Sequence, residues 1–244
     1  MELILDFGNT RQKAALFDQG ILLLTESHSA ISKEMIVDFT EGHPGITSCI
    51  LSSVIQHDES IPEYLGERML FIGLDEFTPV PVLNKYATKE TLGKDRLAAA
   101  VAGAATFPGE NVLIVNAGTA LTFDFVTKAG EYLGGAISPG MQMRFNALHT
   151  FTDKLPLIAY RESCELVGTD TETSILSGVV NGIVAEIEGI SRGYEDKFPG
   201  LKIIVSGGDL NYFVKRLKIS IFALPNIVIH GLQQILSFNV NKAY

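Results

Sequence analysis

Two segments of the chain place residues that could hold phosphate. Asp6-Phe7-Gly8-Asn9-Thr10 ends the apolar run Leu3-Ile4-Leu5, and Asn116-Ala117-Gly118-Thr119 ends the run Val112-Leu113-Ile114-Val115. A second apolar run follows each, Lys13–Phe17 and Leu121–Val126, so each segment reads as the tight turn of a β-hairpin. Gly8 and Gly118 have no Cβ, which lets backbone N–H groups close around an anion. Asp6 is suited to hold Mg²⁺ through water, and Lys13, past Arg11 and Gln12, carries a charge that could reach a phosphate. Asn and Gly also suit ordinary turns, so either segment alone is weak; the pair points to a clamp on nucleotide phosphates and to phosphoryl transfer. A third segment, Gly93-Lys94-Asp95-Arg96, stands at an expected helix start. Asp95 could accept a proton from an alcohol while Arg96 holds an anionic substrate, although helix capping with a surface ion pair would use the same residues.

The elements that would carry these groups fall into two similar series. Strands are expected near residues 2–7, 12–17 and 20–25, a helix from Ser32, a strand over 46–52, short strands over 69–72 and 80–83, and a helix from Lys94 that stops at Phe107-Pro108-Gly109. The pattern restarts with strands near 111–116, 121–127 and 132–137. Helices follow over 141–148 and 171–194, then a buried strand over 202–206, a helix, a short strand over 220–223 and a helix over 230–238. Two α/β domains are therefore expected, 1–109 and 110–244, each a mixed sheet with flanking helices, with a cleft between them. Gly134–Gly140, Ser206-Gly207-Gly208-Asp209 and Gly168-Thr169-Asp170-Thr171 each lie between a strand or loop and a helix, where they could line a ligand site or simply turn the chain.

Composition narrows the classes. The 244 residues are 46% apolar and 19% charged, enough to bury a core. A net charge of −9 argues against binding nucleic acid or an anionic membrane by bulk electrostatics. Cys49 and Cys164 are far apart and read as two buried thiols of a cytoplasmic protein. Glu2 and Asp6 interrupt any signal-peptide pattern, and no apolar run approaches the ~20 residues of a membrane span. The five histidines, His149 and His230 among them, have no metal-ligand spacing.

Taken together, the segments resemble the type III pantothenate kinases, and the likeness runs through nearly the whole chain. Asp6-x-Gly8-Asn9-Thr10-x-x-Lys13 is similar to the family's ATP motif, Gly93-Lys94-Asp95-Arg96 with Asn84-x-Tyr86 before it to the pantothenate motif, and Ala117-Gly118-Thr119-Ala120-x-Thr122 to the second phosphate motif. Gly134-Gly135-x-Ile137-x-Pro139-Gly140 resembles the turn that follows. The resemblance implies two RNase H-like, actin-like domains and phosphorylation of pantothenate by ATP with Mg²⁺, the first step of coenzyme A synthesis. It implies a homodimer with its substrate pocket at the subunit interface. By position it makes Asp95 the proton acceptor. It places ATP on residues 6–13 (Asp6, Phe7, Gly8, Asn9, Thr10, Arg11, Gln12 and Lys13) and on Thr119. Pantothenate would meet Tyr86, Gly93, Lys94, Asp95, Arg96 and Thr171.

One position departs from the family pattern. Asn116 stands where the family usually has an Asp associated with K⁺ or NH₄⁺; the amide keeps an acceptor oxygen and loses the charge. Asp124 could supply a nearby charge. Another small-molecule kinase of the superfamily would share the hairpins and differ around Asp95. A catalytically weak accessory protein is favoured only by Asn116, while Asp6, Asp95 and Arg96 oppose it.

Overall fold

The computed structural model describes residues 1–242. In chain order it contains β1 (Glu2–Phe7), β2 (Gln12–Asp18), β3 (Ile21–His28), α1 (Lys33–Gly42), β4 (Ser48–Ser53), α2 (Ser60–Gly66), β5 (Leu70–Gly73), β6 (Leu83–Asn84) and α3 (Lys94–Thr106). There follow β7 (Val112–Ala117), β8 (Ala120–Val126), β9 (Glu131–Pro139), α4 (Met141–Thr150), α5 (Thr171–Lys197), β10 (Lys202–Ser206), α6 (Leu210–Phe213), β11 (Phe222–Ala223) and α7 (Ile227–Val240). Helix α2 has no counterpart in the sequence reading; at seven residues it is too short to display a helical period. The strand expected over 80–83 shrinks to Leu83–Asn84, in a segment that Pro79 and Pro81 interrupt.

The chain forms two compact units. One comprises Met1–Thr106 and the chain from Ile227 onward; the other is Phe107–Asn226. The expected 110–244 domain therefore loses its last helix to the first unit. Helix α7 packs on α3, β1 and β4. Gln233 Nε2 and Ser237 Oγ donate to the two Glu2 carboxylate oxygens at 2.9 and 2.8 Å, and His230 meets the Phe17 ring edge-on. Local pattern makes 227–240 an apolar helix but does not name the surface that covers it.

In the first unit the sheet order is β3-β2-β1-β4-β5, with β1 antiparallel to β2 and parallel to β4. In the second, β9-β8-β7-β10-β11 repeat that order, with β7 antiparallel to β8 and parallel to β10. Alternation along each strand sends one set of side chains to each face. Leu3, Leu5, Phe7, Cys49 and Leu51 join Ile36, Ile61 and Leu65 in one core, while Leu113, Val115, Phe123, Ile203 and Val205 join Val179, Ile183 and Ile187 in the other.

Helix α5 runs for 27 residues and is, by length and composition, apolar enough to span a bilayer, contrary to the expectation that no apolar segment approaches that length. Its Ile175, Leu176, Val179, Val180, Ile183 and Ile187 lie in the second core, which is how an apolar helix of this kind is used inside a folded unit. Of the two thiols expected to be buried, only Cys49 is; Cys164 is half-buried.

Candidate active site

Phe7 pairs with Gln12 at the end of β1 and β2, and the four residues between them form the first hairpin loop. Gly8 N–H donates to the Arg11 carbonyl at 3.1 Å, and a Cβ on Gly8 would stand 3.0 Å from that oxygen, so the loop is as tight as the glycine allows. Asn9, Thr10 and Arg11 are exposed at its tip. Asp6 and Lys13 face each other across the strands. Two of the nine residues assigned to ATP have their side chains elsewhere. Phe7 is buried in the core, and the Gln12 side-chain oxygen accepts the Ile31 N–H at 2.6 Å, so these two offer a ligand only their backbone.

Asp6 is a half-buried carboxylate whose pKa is pushed up to about 6, first by burial and then by the charge of Asp95; Lys13 opposes the rise. Asp95 opens α3, and its Oδ1 accepts the Arg96 N–H at 2.9 Å. A Cβ on Gly93 would lie 2.6 Å from that same oxygen, so a larger residue there would shift the Asp95 carboxylate. The first helical bond, Leu97 N–H to the Gly93 carbonyl, completes the start. The Arg96 side chain is buried, with its guanidinium carbon 5.7 Å from the centre of the Tyr86 ring. Tyr86 is held in turn by its N–H donating to Asn84 Oδ1 at 3.0 Å. The first unit thus unites Asp6, Lys13 and Asp95 electrostatically, and Tyr86 with Arg96 by contact.

The second unit builds its own hairpin in the same way. Gly118 N–H donates to the Ala120 carbonyl at 3.0 Å, and Thr119 is exposed at the tip. Two of the glycine-rich segments turn out to serve this loop. A Cβ on Gly140 would run into the Gly118 and Thr119 carbonyls, and one on Gly207, whose φ is +100°, into the Ala117 backbone. Asp209 N–H closes the contact on the Ala117 carbonyl at 3.0 Å. Asn116 is half-buried and stands opposite Thr122 on β8 and Ser206 on β10.

Asp124 lies two residues beyond Thr122 on that same face, fully buried, and accepts the Tyr132 hydroxyl at 2.7 Å and the Thr122 hydroxyl at 3.3 Å. Its direction and its hydroxyl partners on β8 and β9 are set by the register of the strands, which a linear pattern does not contain. At the start of α5, Asp170 caps the helix by accepting the Thr173 N–H at 2.8 Å, and Thr173 Oγ1 accepts the Asp170 N–H at 3.1 Å. Thr171 is left exposed on a cleft of about 650 Å³ that Gly168, Ser174 and Ile175 also line. No group of three or more His, Cys, Asp or Glu residues suited to a metal occurs among the described residues.

Comparison with known proteins supplies an independent line. The family model of the type III pantothenate kinases matches residues 2–193. A type III pantothenate kinase of Christiangramia forsetii is 44% identical over 242 residues, covering 98% of this chain and 99% of the relative. Among solved structures, the chain is similar to a conserved Baf-family protein from Campylobacter jejuni (TM-score 0.62, 21% identity, 98% of this chain and 99% of that one). It is also similar to a glucokinase from an Antarctic psychrotroph (TM-score 0.52, 11% identity, 97% and 98%). At these identities the structural likenesses bear on the fold alone, which is that of the actin-like ATPases and sugar kinases.

Proposed function

The chain belongs to the type III pantothenate kinases and phosphorylates pantothenate with ATP, and we propose that Asp95 receives the proton of the attacking hydroxyl beside the Asp6 hairpin. The observation that supports this assignment is the position of Asp95 on the first turn of α3, its Oδ1 accepting the Arg96 N–H at 2.9 Å, with its charge near enough to Asp6 to raise the pKa there. In phosphoryl transfer through a loose transition state the hydroxyl proton leaves late, so a carboxylate of ordinary basicity suffices and its first task is to orient the nucleophile. The Gly8–Arg11 loop holds phosphate oxygens on its backbone N–H groups, with Lys13 behind it, and Thr119 does the same at the second hairpin.

Magnesium fits the donors present. Asp6 and Asp95 repel one another, and Asp6 would hold the ion through water. The ion supplies charge neutralisation to the phosphates when bound. Asn116 stands opposite Thr122 across the hairpin, and its amide holds a monovalent cation more weakly than a carboxylate would.

Arg96 binds the pantothenate carboxylate. Its guanidinium is buried against Tyr86, where a planar fork can meet a carboxylate with two parallel bonds. Thr171, exposed on a cleft of the second unit, is the position there that the family motif assigns to pantothenate. Arg96→Lys is expected to raise the KM for pantothenate by about tenfold or more while that for ATP changes little, since a point charge replaces the fork. Equal rises for both substrates would move Arg96 to the phosphates.

The test of the whole reading is a coupled assay with pantothenate, ATP and Mg²⁺, run with and without K⁺. Phosphate transfer to pantothenate is expected, with at most weak dependence on K⁺; no transfer, or transfer only to another alcohol, would overturn it. The enzyme works as a homodimer in this reading, in line with its family. Sedimentation at micromolar concentration is expected to give twice the 26.5 kDa chain mass, and a fully active monomer would refute the dimer.

A further inference from the structure

Ser52, the last residue but one of β4, has no accessible surface, and its hydroxyl has no hydrogen-bond partner among the described residues. A buried hydroxyl left this way is destabilising, and in a folded protein it calls for a specific reason. Register supplies one. In the parallel pair of β1 and β4, Ser52 stands beside Asp6, and Asp6 has Lys13 on its other side in β2. Cys49 and Leu51 pack into the core with Leu3, Leu5 and Phe7, so Ser52 and Asp6 share the opposite face. Helices α3 and α7 pack against β4, and α3 opens with Asp95.

The second unit repeats the arrangement. Ser206 on β10 is the register neighbour of Asn116, is likewise buried, and has Thr122 on the far side of Asn116. A buried serine therefore stands next to the polar residue that starts each phosphate hairpin. Ser52 belongs to no motif visible along the chain, and Ser206 only opens the Ser206-Gly207-Gly208-Asp209 turn; strand register is what brings each beside its hairpin.

We infer that Ser52 is a positioning residue for Asp6: its hydroxyl donates to the Asp6 carboxylate when metal and nucleotide are bound, and fixes the orientation in which Asp6 holds the water shell of the ion. The inference rests on the reading of Asp6 as the residue that holds Mg²⁺. It explains why an unpartnered hydroxyl is kept at a site where alanine would fill nearly the same space. It also separates the hydroxyl's two effects, since a group retained for a ligand weakens the free protein and strengthens the complex.

The experiment measures Mn²⁺ binding by electron paramagnetic resonance in the presence of a non-hydrolysable ATP analogue, together with the Tm of the ligand-free protein. The proteins compared are wild type, Ser52→Ala, Ile50→Val and Asp6→Asn. For Ser52→Ala the expected result is a ligand-free Tm equal to or above that of wild type, with Mn²⁺ binding weakened at least about tenfold, the low end of what removing a residue behind a metal ligand does. Ile50→Val, which thins the packing on the same face without touching a hydroxyl, is expected to lower Tm and leave Mn²⁺ binding as it was. A smaller loss of Mn²⁺ affinity in Ser52→Ala, whatever its Tm, overturns the inference. If Asp6→Asn also binds Mn²⁺ as tightly as wild type, the reading of Asp6 has failed. If Asp6→Asn binds weakly and Ser52→Ala normally, only the role of Ser52 has failed.

Discussion

Asp95→Asn is expected to fold as the wild type does and to turn over at least ~10²-fold more slowly, the low end for loss of a general base. The fold should survive because the amide oxygen of asparagine can still accept the Arg96 N–H that Asp95 Oδ1 accepts at 2.9 Å. Removing the charge also relieves the repulsion that helps to raise the pKa of Asp6, so no loss of Tm is expected. The chemical deficit is different in kind. An amide can orient the pantothenate hydroxyl but cannot take its proton, so kcat should fall with little change in the KM for ATP. Steady-state kinetics with both substrates, beside a thermal melt, checks both halves. Turnover within a few fold of wild type would remove Asp95 from the role of proton acceptor.

Gly231→Ala is expected to be the more damaging change to the fold, although position 231 is remote in sequence from every proposed site residue. Helix α7 crosses α3 so closely that a Cβ on Gly231 would run into the carbonyl of Ala98. The helices must separate or tilt, and overpacking of this kind costs about 3 kcal/mol. In a chain of this size that corresponds to a Tm lower by roughly 6–12 °C. Because α3 carries Asp95 and Arg96 on its first turn, activity should fall even below the melting range. Gly189→Ala is the control: nothing lies within 4 Å of a Cβ at that exposed position in α5, so the substitution should stabilise by about 0.5–1 kcal/mol through helix propensity alone. Equal melting temperatures for Gly231→Ala and wild type would mean that the two helices do not meet this closely.

The run Leu97-Ala98-Ala99-Ala100-Val101-Ala102 illustrates what a linear pattern conveys and what it leaves open. It announces a helix, since alanine has the highest helix propensity and nothing in the run breaks it. It does not announce that the small side chains are there to admit a second helix, because that helix, α7, comes from the far end of the chain. For the same reason a reading in chain order extends the second domain past Asn226, where the second unit ends. Chain order is a sound guide to neighbours for a hairpin, and a poor one for a terminal helix that closes over the first unit.

By itself, the sequence determined the two hairpins, the helix start at Asp95, the doubling of the α/β pattern and the family. All of these depend on residues within a few positions of one another, where turn chemistry and strand alternation act directly. Tertiary structure alone decided that Phe7 and Gln12 face away from the ligand side, that Gly140 and Gly207 pack against the second hairpin, and that Asp124 is met by Tyr132. It alone brought Ser52 beside Asp6 and Ser206 beside Asn116. The physical reason is common to them all. Register between strands and the crossing of helices are set by burial summed over whole faces, and no local window contains both sides of such a contact.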